Sequence, residues 1–170
     1  RGKSSELEAA FPAAIDAQYE AAKLEVSEEA RETLYASLPD AIRESAVKLV
    51  NAYANPRDII PEMKQSGVFL ARAGCDVNVV KAHYDAFPQA LKSVAGAWTD
   101  ASDEAWTTLM SQAFDMVKSG FVEVAKAERE AQEAKAAAEA ENAAKAAEET
   151  KKAEEMKKAA EAEKKKAEEE

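Results

Sequence analysis

Through the first 120 residues, apolar side chains recur at three- and four-residue spacing, and no segment has the period-two, β-branched alternation of a half-buried strand. The clearest stripes are Val80, Tyr84, Phe87, Leu91 and Val94, and then Trp106, Leu109, Met110, Ala113, Phe114, Val117 and Phe121. The pattern predicts an all-α chain with helices over about residues 5–24, 28–37, 40–54, 58–73, 78–95 and 103–119. Phe11, Ile15 and Tyr19 give the first of these its apolar face. Ser27, Asp58 and Ser102 each offer a capping oxygen at a predicted start, and acids follow the two serines at the positive helix end. Pro39 and the pair Asn55-Pro56 make corners. Pro12 and Pro88 fall inside two spans, where each helix is expected to kink or to begin late. The short link from Gly96 to Asp100 should make its flanking helices antiparallel neighbours.

Beyond about Gly120 the pattern changes. Every Trp, Tyr, Phe, Leu and Ile lies at or before residue 121, and past Val124 the only apolar side chains are alanines and Met156. Glycine and proline disappear, and Ala, Glu and Lys dominate, the composition of a long helix. The chain is therefore expected to divide into a helical body, residues 1–122, and a single long solvent-exposed helix, residues 123–170. Glu141, Glu148, Glu154 and Glu161 each precede a lysine by four positions, the better orientation for a side-chain pair, worth about 0.2–0.5 kcal/mol each. No Leu or Ile seam runs along this segment, so self-association through its alanines would bury little area.

The formal charge of −10 argues against nucleic acid, whose phosphates attract basic surfaces. Cys75 is the only cysteine, which excludes an intrachain disulfide framework and a zinc cluster of thiolates. No run approaches the roughly 20 apolar residues that cross a bilayer, so a soluble chain is expected, with peripheral membrane association left open. The first residue is Arg1 rather than Met, which fits either a processing site left by removal of an import or signal peptide or the edge of a longer chain.

Two stretches, "LVNAYANPRDIIPEMKQSGVFLARAG" (residues 49–74) and "HYDAFPQALKSVAGAWTDASDEAWTTLM" (residues 83–110), resemble the C-terminal half of a bacterial-type globin. The likeness covers roughly residues 40–120, and Gly96-Ala97-Trp98-Thr99 with Ala105-Trp106 is its most specific part. The resemblance implies a globin-like bundle for the body. It also implies where haem would be held, and the ligands are missing. The proximal histidine falls on Leu70 counting from Gly67, or on Gly74 counting back from His83-Tyr84. Neither offers iron a lone pair. The distal polar position falls on Ser45, and the phenylalanine that wedges haem has no counterpart between Tyr35 and Phe69.

His83, the only histidine, is the one imidazole a haem or metal could use, and its place beside the Val80-Tyr84-Phe87 stripe reads as structural or solvated. Cys75 is the position at which a resemblance to the phycobiliproteins would attach a bilin, but no Arg-Asp pair follows it; the plainer reading is a buried free thiol. Glu128, Glu130 and Glu133 sit among Lys126 and Arg129 on a solvated helix, with nothing to tune them for acid–base work. No glycine-rich phosphate loop occurs. Trp98 and Trp106 are expected to pack one helix on the next.

These observations lead to three readings. The first is a non-enzymatic structural or linker subunit, without cofactor or metal, whose body docks on one protein of a larger complex while the long helix bridges to another. The second is a non-haem globin-type sensor that binds a small apolar or anionic ligand. The third is a tetrapyrrole binder through His83 or Cys75.

Overall fold

A computed structural model describes the backbone of residues 2–52, 57 and 59–168, and the side chains of residues 5–52, 57 and 59–158. Six α-helices follow one another: α1 (Gly2–Ala22), α2 (Glu28–Thr33), α3 (Leu38–Asn51), α4 (Ile59–Arg72), α5 (Val77–Val94) and α6 (Asp100–Glu168). Among the described residues there is no strand. The chain forms two compact units, residues 1–125 and 126–170. The corner at Asn55-Pro56 and the cap expected of Asp58 lie outside the described residues.

In the first unit, α5 occupies the centre. Val79, Val80, Ala82, His83, Tyr84, Ala86, Phe87, Pro88 and Ala90 are all buried, which takes in nearly every face of the helix over three turns. A helix buried all round must be packed by neighbours on several sides. Helix α1 lies along it through Phe11, Ile15 and Tyr19, with the Phe11 and Phe87 rings 5.9 Å apart. Helix α3 adds Leu38, Ile42, Ala46 and Leu49. The early part of α6 closes another side with Met110, Ala113, Phe114 and Val117, and Tyr84 meets Phe114 at 6.0 Å. Both Pro12 and Pro88 are carried inside continuous helices, and α1 begins well before Pro12.

Helices α4 and α6 cross where neither has a side chain. A β-carbon built on Gly67 would stand 1.8 Å from the carbonyl oxygen of Val117, and one on Gly120 would stand 2.3 Å from the Lys64 oxygen and 2.4 Å from the Val68 nitrogen. All of these atoms are backbone, so no side-chain rotation can make room. The Lys64–Glu123 ion pair at 2.5 Å lies next to the crossing.

The helix ends follow local chemistry. Ser27 Oγ accepts the Ala30 N–H at 3.2 Å, as expected. The cap expected of Ser102 belongs instead to Thr99: α6 starts at Asp100, and Thr99 Oγ1 accepts the Ser102 N–H at 3.1 Å. Asp76 caps α5 by accepting from Asn78 and Val79. Two helices stop with the same pair of hydrogen bonds. At the end of α4 they run from Gly74 to Ala71 and from Cys75 to Leu70; at the end of α1 they run from Lys23 to Glu20 and from Leu24 to Tyr19. This motif puts the residue after the cap in the left-handed region. Gly74 fits it at φ +85°, whereas Lys23 adopts φ +53° with a full side chain.

The tryptophans divide. Trp106 is half-buried and meets Phe87 at 5.9 Å, so it does pack one helix on another. Trp98 does not: its Nε1 donates to Asp103 Oδ1 at 3.0 Å, which ties the α5–α6 link to the first turn of α6. That bond, with Lys92 nearby, holds the Asp103 carboxyl below its ordinary pKa.

In the second unit, every residue from Lys126 to Lys158 is exposed. Ion pairs close at Glu141–Lys145 (2.6 Å) and Glu148–Lys152 (2.7 Å), while Glu154 and Lys158 are not within pairing distance. Pairs with the base leading also form, at Lys126–Glu130, Arg129–Glu133 and Lys135–Glu139. The helix predicted to stop at 119 and the one predicted beyond 122 are a single element, because Gly120 is bonded into α6 and serves packing rather than termination.

Two substitutions test this account by chemical denaturation. Gly120→Ala gains about 1 kcal/mol of helix propensity but forces a methyl into backbone, where overpacking costs about 1–3 kcal/mol or more. With no atom able to yield, a net loss is expected, and an unchanged midpoint would mean that the helices do not cross here. Lys23→Gly relieves a left-handed residue and should stabilise the chain by about 1 kcal/mol.

Candidate functional site

Chemically capable side chains converge at one place in the first unit, where α1, α2 and the start of α3 meet over α5. Tyr19 comes from α1, one turn after Ile15; Arg31 lies on α2 and Tyr35 just after it; His83 lies on α5. The His83 ring is only 3 % exposed. Its Nδ1 lies 2.9 Å from the Val79 carbonyl oxygen, which can only accept, so Nδ1 carries the proton and Nε2 is bare. The Tyr19 hydroxyl stands 3.4 Å from Nδ1 and 3.5 Å from Nε2, at the edge of hydrogen-bonding range, and can donate to Nε2.

Aromatic rings enclose the imidazole. Tyr19 meets it edge-on at 5.6 Å, and Tyr35 lies over it at 5.8 Å with planes 28° apart. The Tyr35 hydroxyl accepts the Asp76 N–H at 3.0 Å and so ties this corner to the start of α5. Above Tyr19, the Arg31 guanidinium lies 4.9 Å from the ring centre and pairs with Asp16 at 2.5 Å. Burial pushes Tyr19 up to about 12 and lowers His83 below its ordinary value, with the Arg31 charge adding to the effect on His83. The histidine is neutral at pH 7.

The haem-ligand positions implied by the globin resemblance hold other work. Leu70 packs against the core, and its carbonyl accepts the Cys75 N–H. Gly74 is the left-handed residue ending α4, where any side chain would be strained. Ser45 Oγ donates to the Ala41 carbonyl at 2.7 Å, back into its own helix. Cys75 is a buried free thiol whose pKa burial raises. Glu128, Glu130 and Glu133 lie in the exposed second unit, where Glu130 and Glu133 pair with Lys126 and Arg129. His83 lines an open cleft, and Cys75 is not among that cleft's lining residues. Among the described residues, no group of three or more His, Cys, Asp or Glu is arranged to hold a metal ion.

Sequence periodicity did not point to the partnership of Tyr19, Arg31 and Tyr35 with His83. One signal was available: Arg31 is the only base between Lys23 and Arg43, in a stretch crowded with glutamates.

Beside this cluster are two open clefts, each of about 340 Å³. One lies between α1 and α3 over Phe11 and Phe87, and the other lies over Tyr19, Tyr35 and His83. Pro12, Ile15 and Pro39 line both, so they form one groove. Compared with known protein families, curated proteins and solved structures, the chain matches none.

The buried imidazole makes stability depend on pH. Because its folded pKa lies below its unfolded value of about 6.5, the folded state is favoured fully above that value and loses stability as pH falls through it. Urea midpoints should therefore drop on acidification from neutral pH, with a shallower drop in His83→Gln; equal slopes in the two proteins would remove His83 as the cause. The Cys75 thiol should react slowly with a soluble disulfide reagent in the native protein and rapidly once urea unfolds it.

Proposed function

We propose that this chain is a non-enzymatic structural or linker subunit of a larger assembly, with a globin-like body that docks on one partner and a long charged helix that bridges to another. The observation that carries this reading is the division of labour along α6. Its early turns bury Met110, Ala113, Phe114 and Val117, yet from Lys126 to Lys158 it buries nothing. A segment held only by intrinsic propensity and pairs of about 0.2–0.5 kcal/mol is a weak element by itself. Its length and continuity make sense when another molecule lies along it.

The body supports the same reading. At the positions where the globin resemblance would place a haem contact, the residues present have other roles: Leu70 packs in the core, Gly74 ends a helix in a left-handed turn, and Ser45 bonds back to the Ala41 carbonyl. The one histidine is enclosed by two tyrosine rings. Among the described residues no helix is long and apolar enough to cross a membrane.

Hydrogen exchange tests the bridging role. In the purified chain, amides beyond residue 126 should exchange far faster than those of α5; in the native assembly they should become protected. Equally fast exchange in both settings would overturn the bridge. Incubation with excess haem or bilin should leave the protein without a visible absorption band.

A further inference from the structure

The charge of the body is not spread evenly. Residues 5–45 hold ten acids and three bases, a net −7, whereas residues 46–125 hold nine acids and seven bases, a net −2. The acidic part is made of α1, α2 and the start of α3, the elements that wall the groove. Five carboxylates line it, those of Glu8, Asp16, Glu28, Glu32 and Asp40, against the two guanidinium groups of Arg31 and Arg43. Arg31 is taken by Asp16, and Arg43 by Glu8 and Asp40. Glu28 and Glu32, on the exposed side of α2, have no cation within pairing distance among the described residues. The groove therefore has an apolar floor and a rim left with negative charge.

Its dimensions suit one kind of occupant. Leu7, Phe11, Ile15 and Tyr19 follow the groove at four-residue intervals along α1, a span of about 18 Å at 1.5 Å per residue. That is the length of about three helical turns. A helix of that length can lay an i, i+3/i+4, i+7 apolar stripe on the shoulders formed by Pro12, Ile15 and Pro39. A second copy of this chain is a poor candidate, because like charge would oppose like: the whole chain carries −10.

We propose that the groove between α1 and the α2–α3 corner is the docking site for a basic amphipathic helix of a partner protein, with aliphatic side chains on its floor and Lys or Arg side chains against Glu28 and Glu32. The inference rests on the structural-subunit reading and names the chemistry of the partner that the body would engage. Because the attraction is across an exposed rim, it steers encounter and weakens with salt.

The test uses the full chain and a fluorescein-labelled synthetic helix of about 14 residues with leucine on one face and lysine on the other, a length of about 21 Å. Binding is read by anisotropy and mapped by amide chemical shifts. Saturable 1:1 binding is expected, with shifts confined to residues 7–43 and to α5 near His83. The double variant Glu28→Lys/Glu32→Lys should weaken it by about tenfold or more, and the variant's unchanged urea midpoint would show that it folds. An equally charged peptide with serine in place of leucine should bind much more weakly. The proposal is overturned if the charge-reversed variant binds as well, if the serine peptide binds as tightly, or if the shifts fall on the charged tail beyond residue 126. Loss of the groove site with tail protection intact in the native assembly would sink this inference alone; an unprotected tail with a working groove would sink the bridge alone.

Discussion

The backbone contact between Gly67 and Gly120 constrains the first unit most tightly, since two helices can approach so closely only where both lack a β-carbon. The crossing fixes the position of α4 against α6. Val117 sits at the contact and is itself fully buried, and Phe114, one turn earlier, meets Tyr84 of the central helix. Displacing the crossing would therefore pull at the aromatic packing on α5. In a close-packed interior such a shift is not absorbed locally.

The same central helix carries His83, the one buried polar or charged residue among those described. Burying a polar ring is tolerable when its hydrogen-bonding capacity is met. For His83 the Val79 carbonyl takes the Nδ1 proton within α5, the Tyr19 hydroxyl of α1 stands 3.5 Å from Nε2, and Tyr35 covers the ring face and reaches on to the start of α5. Helices α1 and α5 and the corner between α2 and α3 thus meet on one side chain. The arrangement leaves the imidazole held between two tyrosine rings.

Much of this was legible from the chain. The stripes on residues 80–94 and 106–121 follow a helical period because they are half of a core, and Ser27 signalled its helix start by side-chain chemistry alone. Other features were hidden for definite reasons. Gly120 looks like a boundary because glycine ordinarily breaks helices; only a three-dimensional neighbour reveals that its missing side chain is what the packing uses. Thr99 and Ser102 are equally good caps by residue type, and the choice between them depends on where the preceding link delivers the chain. The enclosure of His83 joins residues up to 64 positions apart, beyond the reach of any local pattern. The groove is legible only in part: its charge is in the sequence, but its floor exists only once α1 and α3 are set side by side.

The short helix α2 leads into the corner at Tyr35 that covers an ionisable group. It spans six residues, buries no side chain of its own, and is held by the Ser27 cap and by Arg31 on Tyr19 and Asp16. Short, shallowly packed segments are the first to detach in native-state fluctuations. Were α2 and Tyr35 to detach together, water would reach the imidazole, and in mildly acidic solution the molecule would take up a proton that it must give back on reclosing. Anything that grips or props open this corner would then change the proton inventory of the protein, and its binding heat, measured calorimetrically, would vary with the ionisation enthalpy of the buffer.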